Sequence, residues 1–246
     1  MTQESSSASL MDKIYKKQRH IYDATRKHYL LGRDHLIRKL DVPRGGTVLE
    51  LGCGTGRNLI ATAKAYPSCQ LFGVDISEEM LKTAQANINK AGLAHRIHVI
   101  QADATNFDPF IAFGIDRFER VFLSYCVSMI PEWEKAIEHG LNLRSAGGQL
   151  SLVDFGQQER LPRLFKRMLT AWLRKFHVQA RVDLEQTLTR FAEERHSKLR
   201  FEQLYRGYAY YAQVDGSFYS RFIENPGAAE QTAEVEKAMS PVKKAS

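Results

Sequence analysis

The sequence predicts an α/β domain: a mostly parallel sheet with helices on both faces. Three observations predict it. Short β-rich runs alternate with helical patterns from residue 47 to residue 155. At this spacing, alternation implies parallel strands joined by crossover helices. A glycine-rich turn directly follows the first strand and opens the first helix. Finally, 246 residues with 43% hydrophobic content suffice for one well-buried domain with at most a small appendage.

The elements run in order along the chain. MTQESSSASL, residues 1–10, carries no basic stretch followed by an apolar one, so no secretory signal is expected. Residues 11–44 are basic and rich in tyrosine and histidine. Tyr15, Tyr22 and Tyr29 are seven apart, so one continuous helix would align them in a stripe near Arg26 and Arg33. They either pack that helix on the domain or face a site. Thr47–Leu51 is the first expected strand, and the first helix runs from Asn58 to Ala65. Gln70–Val74 is a strand, followed by a helix from Ser77 to Ala91. Ser77 is its N-cap, and Glu78 and Glu79 suit its positive end. Ile97–Gln101 and Arg120–Ser124 are strands, Glu132–Leu143 a helix, and Gln149–Phe155 the fifth strand.

After Phe155 the pattern changes. Leu161, Leu164, Phe165, Met168, Leu169, Trp172 and Phe176 fall at helical spacing. Arg163, Lys166, Arg167, Arg174 and Lys175 fill other positions, and no acidic residue occurs between Arg160 and Arg181. Pro162 suits a first helical turn. Two readings stay open: a helix packed on the sheet with a basic outer face, or one lying on a membrane surface. Asp183–Glu194 predicts another helix. Leu199–Tyr205 and Tyr208–Val214 predict two strands joined at Gly207. Beyond about residue 225 the chain is small, polar and expected to be disordered.

Charge narrows the partners. Residues 11–44 hold ten Lys/Arg and four Asp, residues 45–156 nine basic and twelve acidic, and residues 157–206 twelve basic and six acidic. A mildly acidic centre is thus flanked by two basic segments, which points to an anionic partner or to a merely solvated basic surface. Cys53, Cys69 and Cys126 are odd in number and lack ligand spacing, which fits reduced thiols in a cytoplasmic protein. The eight histidines are scattered; no metal site is expected, and His20, His28 and His35 are read as surface residues. No apolar run reaches the length of a membrane span.

Chemistry concentrates in Glu50-Leu51-Gly52-Cys53-Gly54-Thr55-Gly56. Glycines here let the backbone turn tightly and approach a ligand, while amides at the helix start face it. The spacing is E-x-G-x-G-x-G, unlike the dinucleotide fingerprint, and the Gly-Lys-Ser/Thr of a phosphate loop is missing. Asp75 closes the second strand, where a carboxylate can accept from two ribose hydroxyls. Asp103 closes the third, where it can accept from an adenine amino group.

This ordered set resembles the class I S-adenosylmethionine-dependent methyltransferases over residues 45–155. The resemblance implies a Rossmann-like fold with a mostly parallel seven-stranded sheet and an N-terminal helical lid. Residues 11–44 would be the lid, 45–156 the cofactor core, and 157–224 the rest of the same domain, between disordered residues 1–10 and 225–246. It implies S-adenosylmethionine as cofactor, with Gly52, Cys53, Gly54 and Gly56 against its methionyl part. Ile76 and Met80 would lie by the adenine, and Glu50 would order the loop. Asn58, Ala104 and Ser124 would complete the site, and Tyr22 and Arg33 would close it from the lid.

The acceptor is read from the segment after the fourth strand. Amino methylation of nucleobases usually needs [DNS]-P-P-[YF] there; this chain has Ser124-Tyr125-Cys126-Val127-Ser128-Met129-Ile130-Pro131. A Pro-Cys nucleophile is also missing, and Cys126 is read as a small buried side chain. No nucleic-acid partner is expected. YKKQRHIYDATRKHYLLGRD, VLELGCGTGRN and SYCVSMIPEW resemble the bacterial diacylglycerylhomoserine N-methyltransferases of betaine-lipid synthesis, from about residue 12 to residue 214. This resemblance implies trimethylation of a lipid head-group amine, with Tyr29 and Tyr125 in the acceptor pocket. It also implies peripheral association with the anionic inner face of the cytoplasmic membrane. Phosphatidylethanolamine or a soluble small amine is the alternative acceptor.

Overall fold

A computed structural model describes residues 29–174 and 178–216. The disordered N-terminus expected at 1–10, most of the lid, Tyr22, and the 225–246 tail lie outside the described residues. The strands are β1 (Thr47–Leu51), β2 (Gln70–Asp75), β3 (Ile97–Gln101), β4 (Phe118–Ser124), β5 (Arg144–Phe155), β6 (Leu199–Leu204) and β7 (Ala209–Asp215). The helices are α1 (Arg33–Lys39), α2 (Arg57–Ala65), α3 (Glu78–Lys90), α4 (Pro109–Phe113), α5 (Trp133–Asn142), α6 (Arg163–Arg174) and α7 (Leu184–Glu194).

The seven strands form one sheet in the order β3-β2-β1-β4-β5-β7-β6. β1 pairs in parallel with β2 and β4, and β4 with β5. β7 runs antiparallel to β5, from Gln149 opposite Asp215 to Phe155 opposite Ala209. A parallel sheet exposes the C-terminal ends of its strands along one edge, the usual place for a ligand in such folds. The antiparallel β7 brings the β6–β7 turn to that same edge.

Each face of the sheet is buried under helices. Leu49, Leu51, Val121, Leu123, Leu150 and Leu152 pack with Ile137 and Leu141 of α5 and Leu188 and Phe191 of α7. The alternate positions Val48, Phe122, Val153 and Phe155 pack with α1, α2, α3 and Leu173 of α6. Strands buried on both faces must be apolar at successive positions, as Val48-Leu49 and Val121-Phe122-Leu123 are, with Glu50 the exception inside β1.

Most element boundaries fall within two residues of expectation, and Ser77 does cap α3, its Oγ accepting from Met80 N at 3.3 Å. Three corrections stand out. α4 has no counterpart in the sequence reading; Asp108 caps it through Phe110 N at 2.8 Å, and Pro109 occupies its start. β5 begins five residues early, past a register shift opposite Phe118 and Arg120. His35 is half-buried rather than on the surface, edge-on to Tyr211 at 5.0 Å and 3.3 Å from Glu202.

Candidate active site

The glycine loop is built by three glycines with different tasks. All three have left-handed backbone, with φ of 72° at Gly52, 54° at Gly54 and 75° at Gly56. A Cβ on Gly52 would fall 2.7 Å from Cys126 Cβ, and one on Gly56 would press on Ala84 of α3 at 3.3 Å. These two glycines let the loop pack on the protein. A Cβ on Gly54 would meet nothing within 4 Å, so Gly54 faces open space. Gly52 N and Cys53 N both donate to Val74 O at 2.9 Å. Asn87 of α3 donates to Thr55 O at 3.0 Å.

Carboxylates surround this loop at the ends of three adjacent strands. Asp75 Oδ2 accepts from Gly54 N at 2.8 Å, and its Oδ1 from Ser77 N at 3.0 Å. It therefore ties the loop to the start of α3. Asp103 Oδ1 accepts from Thr105 N and Thr105 Oγ1, both at 2.8 Å. Glu50 is buried, with Oε1 accepting from Asn58 Nδ2 at 2.8 Å. Its Oε2 has no hydrogen-bond partner among the described residues. Burial pushes the Glu50 carboxyl up to about 8, offset in part by Asn58 and the nearby Arg33 guanidinium. Ionising a carboxylate away from water is unfavourable unless a cation or donors meet it. An orphaned acid oxygen beside an open glycine is what a ligand bearing a positive charge would complete.

The remaining residues expected at the site sort by position. Arg33 is buried, donating from Nε to Leu30 O at 3.2 Å. Met80 and Ala104 are buried and Ile76 is half-buried, all on the segments after β2 and β3. Ser124 ends β4 with its Oγ buried and unpartnered among the described residues. Cys53 and Cys126 are buried thiols, both pushed well above the ordinary range by burial, so neither is a ready nucleophile.

The two tyrosines expected in the acceptor pocket differ. Tyr125 has φ 56° and is 4% exposed. Its hydroxyl donates to Leu31 O, and its ring lies edge-on to Phe155 at 4.7 Å. It braces the 29–33 turn rather than presenting a free hydroxyl, because the chain folds back over it. Tyr29 is half-buried, edge-on to Trp172 of α6 at 4.6 Å. Tyr208 donates to the Tyr29 carbonyl at 2.7 Å.

Sequence reading missed the residues that hold the segment after β4. Arg181 donates from Nε to Val127 O at 3.1 Å and from Nη2 to Ile130 O at 2.7 Å, and Gln179 N reaches Ser128 O at 3.0 Å. The buried Asp154 accepts from Ser128 N at 3.0 Å. These partners lie 26 to 54 residues from that segment, and no local pattern announces them. Among the described residues no cluster of His, Cys, Asp or Glu is placed to hold a metal.

A family described as Methyltransferase domain matches residues 48–148, the stretch that builds β1 to the start of β5. Residues 48–148 are thus similar to a methyltransferase domain. The chain is 30% identical over 119 residues to a phosphatidylethanolamine N-methyltransferase of Cereibacter sphaeroides, covering 48% of this chain and 55% of that one. It is 24% identical over 151 residues to a demethylmenaquinone methyltransferase of Geobacillus sp. (strain WCH70), covering 56% and 62%. The chain thus spans little more than half the length of these relatives. A SAM-dependent methyltransferase from Aquifex aeolicus shares the fold, with a TM-score of 0.58 at 18% identity, over 82% of this chain and 96% of that one.

Proposed function

We propose that the protein is an S-adenosylmethionine-dependent N-methyltransferase that trimethylates the amine of a lipid head group, diacylglycerylhomoserine first among them. One observation carries the reading: an aromatic group in which Tyr29 meets Trp172 edge-on and its carbonyl accepts from the Tyr208 hydroxyl. An amine that gains methyl groups ends as a quaternary ammonium, and aromatic faces attract such a cation. The name of the Cereibacter relative supports a lipid amine, and it favours phosphatidylethanolamine as the second reading.

The cofactor supplies an electrophilic methyl group on a sulfonium. Gly52, Cys53, Gly54 and Gly56 receive its methionyl part, with the buried Glu50 facing positive charge and Asn58 holding Glu50 in place. Arg33 would hold the carboxylate, with Tyr22, which lies outside the described residues, as its expected partner. Asp75 accepts from the ribose hydroxyls and Asp103 from the adenine amine, between Ile76, Met80 and Ala104. Ser124 offers its hydroxyl at the end of β4. Tyr29 orients the acceptor amine, and Tyr125 fixes the turn that carries Tyr29. Displacement at carbon demands alignment and exclusion of water, a role we give to Tyr29 and Trp172. The attacking amine must be neutral. Burial pushes Tyr208 up to about 12 and Tyr125 higher than its ordinary value, so these hydroxyls stay protonated at neutral pH.

The test is methylation of purified diacylglycerylhomoserine and phosphatidylethanolamine with labelled methyl donor, followed by mass analysis of the lipids. The expected product carries three added methyl groups on the homoserine nitrogen. Methylation of phosphatidylethanolamine alone would replace the first acceptor by the second. Label in RNA, a quinone or no acceptor would overturn the lipid reading.

A further inference from the structure

The apolar side of α6 is wider than the domain covers. Leu161, Leu169, Trp172 and Leu173 turn toward the core, yet Leu164 is 71% and Met168 65% exposed. At about 100° per residue these two lie side by side along one margin of the buried stripe. Arg163, Lys166 and Arg167, all exposed, occupy the rest of the outer surface. This pattern, apolar side chains bordering cations on a helix lying flat, suits the plane of a lipid interface.

The surface continues onto a second element. Before α6, Gln158 N donates to Gly207 O at 2.8 Å and Arg160 N to Arg206 O at 3.3 Å. That pairing seats the β6–β7 turn beside the start of α6. At its tip Tyr205 and Arg206 have φ of 51° and 61°, a left-handed backbone that is unfavourable for any residue but glycine. Such conformations persist where the surroundings impose them, often at functional surfaces. Tyr205 is 52% exposed, and Arg160 and Arg206 are exposed as well. None of the five cations Arg160, Arg163, Lys166, Arg167 and Arg206 forms an ion pair with a described residue.

We propose that α6 and the β6–β7 turn form one docking face for an anionic phospholipid bilayer, with Leu164, Met168 and Tyr205 entering the interface and the five cations meeting head groups. The proposal rests on the lipid-amine reading above. Charge decides the occupant. Residues 1–28 hold six Lys/Arg against three Asp/Glu, and residues 217–246 hold four of each, so neither segment supplies the negative charge this face lacks. A second copy docked about a two-fold axis would set the same cations against themselves. The β6–β7 turn lies at the edge of the sheet that carries the glycine loop, and Tyr29 contacts both Trp172 of α6 and, through its carbonyl, Tyr208 after the turn. A head-group amine can then reach the site while its acyl chains stay in the bilayer.

The test compares full-length wild type with L164E/M168E and R163E/K166E/R167E. Each is sedimented with phosphatidylglycerol-rich and with pure phosphatidylcholine vesicles, with cofactor affinity and oligomeric state measured alongside. Wild type is expected to bind the anionic vesicles only. One interfacial cation contributes about fivefold in partitioning, so loss of three cations alone costs on the order of a hundredfold, and the triple variant, which also adds three negative charges, should lose at least that much. Both variants should keep cofactor affinity and, on detergent-dispersed lipid amine, activity. Several outcomes overturn the docking face: equal binding to both vesicles, unchanged binding by the variants, binding to RNA instead, or a dimer that the variants dissolve. If wild type docks as described yet methylates no lipid amine, the acceptor reading fails and the docking face stands. If it methylates dispersed lipid without binding vesicles, the reverse holds.

Discussion

Glu50→Gln isolates the one carboxyl that the sheet buries beside the glycine loop. In the folded chain the proton is held up to about pH 8, against 4.5 for the unperturbed group. The main cause is burial, since Oε2 meets no donor among the described residues; Asn58 and the Arg33 and Arg57 charges oppose it, and the Asp75 charge adds to it. Between these two values the folded state binds more protons than the unfolded state, so stability falls as pH rises. At about 1.4 kcal/mol per pH unit, the whole shift amounts to about 5 kcal/mol. Glutamine keeps an oxygen for Asn58 Nδ2 and cannot ionise. Its amide hydrogens gain no partner at the Oε2 position, which costs about 1–3 kcal/mol at every pH. The variant should therefore be less stable than wild type near pH 5 and overtake it toward pH 9. Urea denaturation of both proteins, without cofactor, across that range is the assay. A stability difference that does not change with pH would refute the account of Glu50.

Asp75→Ala removes the acceptor of both Gly54 N and Ser77 N as well as the proposed ribose contact; calorimetry should show cofactor affinity lower by about a hundredfold, roughly 3 kcal/mol, and unchanged affinity would sink the assignment. Gly52→Ala and Gly54→Ala should separate folding from binding. The first places a Cβ 2.7 Å from Cys126 Cβ, whereas the second meets open space. Thermal denaturation should therefore show a large loss for Gly52→Ala and about 1–2 kcal/mol for Gly54→Ala, with cofactor titration failing for the latter. Equal destabilisation would count against the open face. Tyr125→Phe removes a hydroxyl bonded to Leu31 O; it should cost about 1 kcal/mol of stability and leave the pH profile of kcat unchanged. A shifted profile would make Tyr125 a proton carrier after all.

The parts legible in the sequence are those set by neighbours along the chain. Strand edges, the Ser77 cap and the E-x-G-x-G-x-G turn arise from side-chain period and backbone freedom within a few residues. So β1 to β3 and their C-terminal acids could be placed before any fold was seen. The short α4 escaped because five residues carry too little period, although Asp108-Pro109 is a capping signal. Tyr125 is different: its loop position suggested a pocket, but Leu31, 94 residues away, takes its hydroxyl. Arg181 likewise holds Val127 and Ile130 across a gap that no periodicity spans.

By itself, then, the sequence determined the alternating α/β core, the glycine loop and the two strand-end acids, because each is a local conformational preference repeated in order. Only the tertiary structure decided that β7 runs against β5, that Glu50 is dehydrated, and that Tyr29 leans on Trp172 beside Tyr208. It alone set Leu164 and Met168 outside the core next to five cations. Those outcomes depend on which surfaces meet when distant segments pack, and burial, unlike periodicity, is a property of the whole fold.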